Sequence, residues 1–192
     1  MKVIIGLRNP QAEYLGTRHN IGAEVIEVLA DRWELKLKRG PMRVRADLAS
    51  HRFGEHKVVI GLLRSAMNVS GNPTKALIDY HKVDPSDLLV LHDDIDLAFA
   101  KLRLQFGRGS GGNNGAKSLI RSLGTRDFWR LKMGVGRPPG RMDPAAFVLR
   151  RFSIAERAEI DLLVQDAADA AEAWITNPDA AIQQAAQRPP PG

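Results

Sequence analysis

The sequence predicts an α/β fold, a single domain built on a mixed, mainly parallel sheet flanked by helices. Three observations predict it. Short runs rich in Val, Ile or Leu and bounded by Gly, Pro or Asp recur along the 192 residues. Helix-like stretches lie between many of these runs, and strands alternating with helices argue for parallel pairing through helical crossovers. One pair of runs, 43–49 and 57–63, is joined through His51-Arg52-Phe53-Gly54-Glu55. That connection is too short for a crossover, so the pair reads as an antiparallel hairpin and the sheet as mixed.

The elements follow in order. Val3-Ile4-Ile5-Gly6-Leu7 is a buried strand, ended by Asn9-Pro10 because proline has no N–H and favours a turn. A loop then leads to a helix over about 21–33, followed by the hairpin. Met67-Asn68-Val69-Ser70-Gly71-Asn72-Pro73 precedes a helix over about 70–81. Strands over 88–92 and 101–106, a helix over 114–123 and a strand over 130–135 complete the sheet. Ser153-Ile154-Ala155-Glu156 has the spacing of a capping box. Ile160, Leu163, Ala167, Ala171 and Trp174 then repeat at helical intervals, as a helix packed on the sheet requires. Asn177-Pro178 breaks that helix, and a short one follows. The domain is expected to span 1–187, with Arg188-Pro189-Pro190-Pro191-Gly192 as a frayed tail.

Composition narrows the function. No cysteine is present, which excludes disulfides, thiolate nucleophiles and sulfur-based zinc sites and suits a reducing cytoplasm. The first apolar run is too short for a signal peptide, and 58–63 is too short to span a bilayer, so no membrane association is expected. Charge is uneven along the chain. Residues 100–155 carry 12 basic and 2 acidic side chains, whereas 156–192 carry 2 basic and 7 acidic. A basic block of that density fits a polyanionic partner, most simply nucleic acid, or else a solvated face balanced by the acidic C-terminal helix.

Four segments could carry chemistry. The first places Asn9, His19 and Asn20 at the carboxyl end of the first strand, where ligands bind in open α/β sheets. His19 is either a general base, since imidazole titrates near neutrality, or a loop residue beside a helix start that Asn20 caps. The second is His92-Asp93-Asp94-Ile95-Asp96, directly after the apolar run 88–91. A carboxylate at that strand tip could orient His19. The alternatives are a divalent metal site or turn and capping roles. In the third, Asn68 can grip a peptide group without ionising or can cap a helix, while Met67 suits a pocket wall. The fourth, Gly107-Arg108-Gly109-Ser110-Gly111-Gly112-Asn113-Asn114-Gly115, could bind phosphate or carbonyl oxygen through exposed N–H groups. It formally matches a dinucleotide fingerprint, but no acidic residue closes the following strand to hold a ribose. Arg108 two residues before Ser110 is incompatible with a nucleophile elbow.

Taken together, the chain resembles bacterial-type peptidyl-tRNA hydrolases. The matching blocks are Gly6-Leu7-Arg8-Asn9-Pro10, Tyr14-x-x-Thr17-Arg18-His19-Asn20-x-Gly22, Met67-Asn68-x-Ser70-Gly71, His92-Asp93-Asp94-x-Asp96-Leu97, the run Gly109 to Gly115, and Phe147-Val148-Leu149 with Phe152-Ser153. They stand in family order and spacing across nearly the whole chain. The resemblance implies cleavage of the ester between a peptide and the terminal ribose of tRNA, by a cytoplasmic monomer without cofactor or metal. It implies His19 as general base, Asp93 holding its imidazole, and Asn9, Asn68 and Asn114 on the peptide and ester, with Tyr14 and Met67 at the substrate. Arg103 and Lys132 would contact tRNA phosphate at the acceptor stem and 3′ end. The pH limb of activity would then report a group near histidine's free pKa of about 6.5. Arg8, Gln11, Ala66 and Asn113 depart from the family pattern, with Asn113 standing where histidine is usual and Gln105 where a basic residue is often found. A catalytically idle RNA-binding relative would keep the same fold and basic surface. Retention of His19, Asp93 and the three asparagines argues against it.

Overall fold

A computed structural model describes residues 1–189. Its sheet has seven strands: β1 (Lys2–Gly6), β2 (Lys38–Arg39), β3 (Ala46–Phe53), β4 (His56–Leu63), β5 (Leu88–Asp94), β6 (Leu102–Phe106) and β7 (Trp129–Gly134). The order across the sheet is β2-β3-β4-β1-β5-β7-β6. The central strands β4, β1, β5 and β7 are parallel, and β2, β3 and β6 are antiparallel additions at the two sides. The expected mixed, mainly parallel sheet is therefore present. Its helices are α1 (Ile21–Arg32), α2 (Gly71–His81), α3 (Asn114–Leu123), α4 (Pro144–Val148), α5 (Ile154–Thr176) and α6 (Pro178–Gln187).

The central strands are apolar on both faces because both are covered. Val3, Ile5, Leu88 and Val90 pack with Leu77, Ile78 and Leu119 from α2 and α3. Ile4, Leu89 and Leu91 pack on the opposite face with residues of α1, α5 and α6, including Trp174. Side chains alternate along a strand, so Asp93 follows Leu89 and Leu91 toward α1, while His92 and Asp94 follow Leu88 and Val90 to the other face.

Two glycines seat α1 against the sheet. A Cβ on Gly6 would collide with the Gly22 carbonyl, and one on Gly22 with the Leu91 carbonyl. Helix and strand backbones therefore approach more closely than any other residue type permits. The loop before α1 is brought down onto the tips of β1 and β5, where Leu7 N–H donates to the Leu91 carbonyl at 3.0 Å.

The hairpin departs from expectation at both ends. Strand β3 starts at Ala46 rather than 43, because Arg45 is left-handed (φ 51°) and Val44 N–H closes a turn on Pro41. The two strands then run on to Phe53 and His56, which pair across a tight turn at Gly54 (φ 58°). The expected five-residue connection is thus mostly strand. Helix α5 opens with the expected capping box at Ser153 and Glu156, and Asn177 then caps α6 by accepting from Ala180 N–H. Arg188, expected in a frayed tail, is instead buried: it ion-pairs with Glu159 and Asp166 and donates to the Ala100 carbonyl at 2.6 Å. Residues 190–192 of that expected tail lie outside the described residues.

Candidate active site

The carboxyl ends of β1 and β5, the start of α3 and helix α4 enclose a cleft of about 520 Å³. Asn9, His19, Met67, Asn68, Asp93 and Asn114 all line it. The four sequence segments singled out for chemistry therefore converge on one place.

His19 lies on the 3-10 turn Arg18–Asn20 that leads into α1 and is 9% exposed. Its Nδ1 donates to Asp93 Oδ1 at 2.8 Å. A carboxylate at Nδ1 fixes the proton there and leaves the Nε2 lone pair as the acceptor. Burial pushes the imidazole pKa down, but the charge and hydrogen bond of Asp93 outweigh it and hold the pKa above its ordinary value.

Asn9 is fixed from three directions. Its backbone N–H donates to Asn20 Oδ1 at 2.8 Å, and its carbonyl accepts from Asn20 Nδ2 at 2.9 Å. Its own Oδ1 accepts from Met67 N–H at 2.9 Å, which leaves Nδ2 as the side-chain donor for a ligand. Asn20 occupies the N-cap position of α1 but makes no side-chain cap, because its amide is engaged by Asn9. Met67 is a buried wall residue, whereas Asn68 and Asn114 are exposed at the rim.

The loop carrying His19 is anchored through Arg18. Its guanidinium meets both Glu156 oxygens at 2.7 and 2.8 Å, donates to the Arg151 carbonyl at 2.6 Å, and lies 4.3 and 4.9 Å from the ring centres of Phe147 and Phe152. The block around Phe147 and Phe152 thus clamps the turn carrying His19 and continues as the apolar wall Pro144, Ala145, Val148 and Leu149. That wall comes from α4, an element the hydrophobic pattern did not mark although Asp143-Pro144 is a helix-start signal.

Other expected site residues stand differently. Tyr14 lies outside the cleft lining, on the 3-10 turn Ala12–Tyr14, whose end is closed by Thr17 bonding the Tyr14 carbonyl. Lys132 is 9% exposed and ion-paired with Asp94 beneath Gly111 of the glycine loop. Arg103 is exposed and lies opposite Lys132 in the β6–β7 ladder. Arg130 is fully buried on β7, and its guanidinium finds no hydrogen-bond partner among the described residues. His92 donates to the Asp93 carbonyl at 2.7 Å, and complete burial pushes its pKa down to about 4, so it is neutral near pH 7. Among the described residues, no three His, Asp or Glu side chains are gathered as a metal ion would need. Of the departures from the family pattern, Asn113 lines the cleft, while Arg8 turns away to the Leu63 carbonyl and Asp47.

This arrangement offers an oriented imidazole, neutral amides and an open apolar wall. The sequence profile described as peptidyl-tRNA hydrolase matches residues 3–191. The chain belongs to the peptidyl-tRNA hydrolase family. Among relatives so named, the protein of Frankia alni is 44% identical over 175 residues, covering 91% of this chain and 88% of that one. That of Mycobacterium tuberculosis is 45% identical over 173 residues, covering 90% of each. The crystal structure of the family's Acinetobacter baumannii member superposes with a TM-score of 0.91 at 27% identity, covering 100% of this chain and 97% of that one. A family member in complex with N-propanol gives 0.92 at 28% identity with the same coverage. The fold and the family expected from the sequence blocks are thereby established.

Proposed function

We propose that this chain hydrolyses the ester joining a peptide, or an N-blocked aminoacyl group, to the 3′ ribose of tRNA, and so recycles tRNA dropped from stalled ribosomes. The observation that carries the mechanism is the 2.8 Å contact between His19 Nδ1 and Asp93 Oδ1 inside the asparagine-lined cleft. His19 Nε2 takes a proton from water as the water oxygen attacks the ester carbonyl. Asp93 stabilises the imidazolium that forms. The carbonyl oxygen becomes an oxyanion, to which an amide donor such as Asn9 Nδ2 is available. On collapse, the bond from the acyl carbon to the ribose oxygen breaks. The imidazolium returns its proton to that oxygen, which releases tRNA with a free hydroxyl and a peptide with a free carboxyl group.

A positioned base supplies about 10²–10⁴-fold, and one oxyanion donor about 10²–10³-fold. Asn68 and Asn114 hold the peptide backbone, which offers donors and acceptors whatever its side chains. The apolar wall at Val148 and Leu149 accommodates those side chains without demanding a charge. Outside the cleft, Arg103 and the basic surface of residues 100–155 bind phosphates of the acceptor stem and 3′ end, with Lys132 behind them. The enzyme acts as a cytoplasmic monomer and needs no cofactor. No described helix is long and apolar enough to cross a membrane.

The test is direct. Incubated with N-blocked aminoacyl-tRNA, the protein should release free tRNA at a rate that EDTA leaves unchanged. Binding without release would favour the idle relative. A loss in EDTA restored by Mg²⁺ would favour metal chemistry at Asp93 and Asp94.

A further inference from the structure

Asn113 touches two structures at once. Its Oδ1 accepts from Ala116 N–H at 3.0 Å and caps α3. Its Nδ2 donates to Asp93 Oδ1 at 3.0 Å and lies 3.3 Å from the Asp93 carbonyl oxygen. Asp93 Oδ1 is also the oxygen that accepts from His19 at 2.8 Å. The amide is oriented from both ends, because reversing it would set an oxygen against the carboxylate and an N–H against an N–H. We propose that Asn113 is a positioning residue for the hydrolysis, holding the Asp93 carboxylate in the plane that aligns His19 and tying that plane to the end of α3 that carries Asn114.

The reasoning is geometric. A terminal carboxyl torsion is broad and roughly two-fold, so the bond to His19 alone defines the carboxylate plane weakly. A second donor on the same oxygen defines it. That donor comes from the residue adjoining Asn114, so a shift of the glycine loop or of α3 moves the substrate amide and the base together. The donor is also an amide where the family pattern has an ionisable imidazole, so it stays in one protonation state. The other charged or titratable groups of the same cleft are Asp94, Asp96 and Asp143; His92 on β5 and Arg130 and Lys132 on β7 lie on the opposite face of the sheet, and Arg18 is on the turn that carries His19. His92 is neutral, Lys132 pairs with Asp94, and Arg18 pairs with Glu156.

The proposal rests on His19 acting as the base, and its test separates the two. Asn113→Ser retains an N-cap acceptor but is too short to reach Asp93. Asn113→Asp retains cap and length but sets a carboxylate against a carboxylate. Both keep the cap and should fold; Asn113→Ser should melt near wild type, and Asn113→Asp lower, because two carboxylates then meet at a buried site. Asn113→Ser should lower kcat about tenfold with KM nearly unchanged, as expected for losing a hydrogen bond to a charged group. Asn113→Asp should lower kcat further and move the acidic limb to higher pH, because added negative charge favours the imidazolium. A residue that only caps α3 would leave kcat and the limb alone in both variants, and that result overturns the proposal. His19→Ala is assayed in parallel. If it turns over normally, the base reading fails and the proposal with it. If it is inactive while both Asn113 variants behave as wild type, the positioning role alone fails.

Discussion

Asn20 and Asn9 bind each other through both ends of one amide. Asn20 Oδ1 accepts from Asn9 N–H at 2.8 Å, and Asn20 Nδ2 donates to the Asn9 carbonyl at 2.9 Å. Asn20 directly follows His19, so this pair locks the turn carrying the proposed base to Asn9, the residue proposed to offer an amide to the substrate. Asn20→Asp keeps the size and the acceptor but loses the donor, and turns the new oxygen toward a carbonyl. That substitution should cost about 1–3 kcal/mol of stability, the cost of leaving a buried polar group unpaired. It should also lower kcat/KM by about tenfold or more, because base and amide lose their mutual register. Chemical denaturation and turnover measured on the same preparation check both. Wild-type values would mean that the glycine seat at Gly6 and Gly22 positions the turn unaided.

The His19–Asp93 pair makes a signed prediction about pH. His19 must be neutral to act as a base, so activity falls as the pH drops through its folded pKa, which Asp93 holds above the ordinary 6.5. In Asp93→Asn the attraction is gone and burial remains, so the acidic limb should move below 6.5. Turnover should still fall strongly, because the imidazole loses its orienting carboxylate, while tRNA binding stays nearly unchanged. The contribution of the pair to stability runs with the opposite sense. A raised folded pKa stabilises fully below the unfolded value and loses that effect as pH rises through the folded value. A limb that stays put in Asp93→Asn would uncouple the two residues.

His92 predicts acid sensitivity from the other face of β5. Its folded pKa is about 4, because it is completely buried. The unfolded chain takes up a proton near 6.5 and the folded one does not. Stability from this group is therefore full above 6.5 and is lost as the pH falls from there through about 4. The shift corresponds to roughly 3 kcal/mol at about 1.4 kcal/mol per unit. His92→Gln, which can still donate to the Asp93 carbonyl, should flatten thermal stability across that window. An equally steep loss in the variant would place the acid-sensitive group elsewhere.

Much of the fold was legible because its central strands are buried on both faces and so appear as unbroken apolar runs, as at Val3 to Leu7 and Leu88 to Leu91. Local exceptions depended on single backbone conformations, such as the left-handed Arg45 that delays β3, which no hydrophobic pattern records. In the site, the tips carrying Asn9, His19 and Asp93 were legible, since strand ends are marked by where apolar residues stop. The partnership of Lys132 with Asp94 was not. It depends on β7 lying beside β5 with β6 outside it, an order across the sheet that differs from order along the chain. Arg188 was expected in a frayed tail, and its burial was not legible for a similar reason: its partners, Glu159 and Asp166, lie on α5, against which α6 folds back.

That same ladder separates two cations expected to act together on tRNA. Arg103 is exposed, whereas Lys132 is buried against Asp94. Arg103→Ala should leave the fold unchanged, weaken tRNA binding, and reduce the slope of log K against log salt by about 0.7–0.9 for one lost phosphate contact. Cleavage of a minimal substrate lacking the tRNA body should be unaffected, because it has little phosphate to grip. Lys132→Ala removes one partner of a buried pair and should cost about 3–5 kcal/mol of stability, since Asp94 is left uncompensated. Asp94 also accepts the N–H groups of Asp96 and Leu97, which shape the cleft rim, so Lys132→Ala should slow the minimal substrate as well. Salt titrations of tRNA binding and turnover on both substrates distinguish the two. Equal losses for Arg103→Ala on both substrates would move that residue from the phosphate surface into the support of the site. An unchanged salt slope in both variants would leave binding to the remaining basic groups of 100–155.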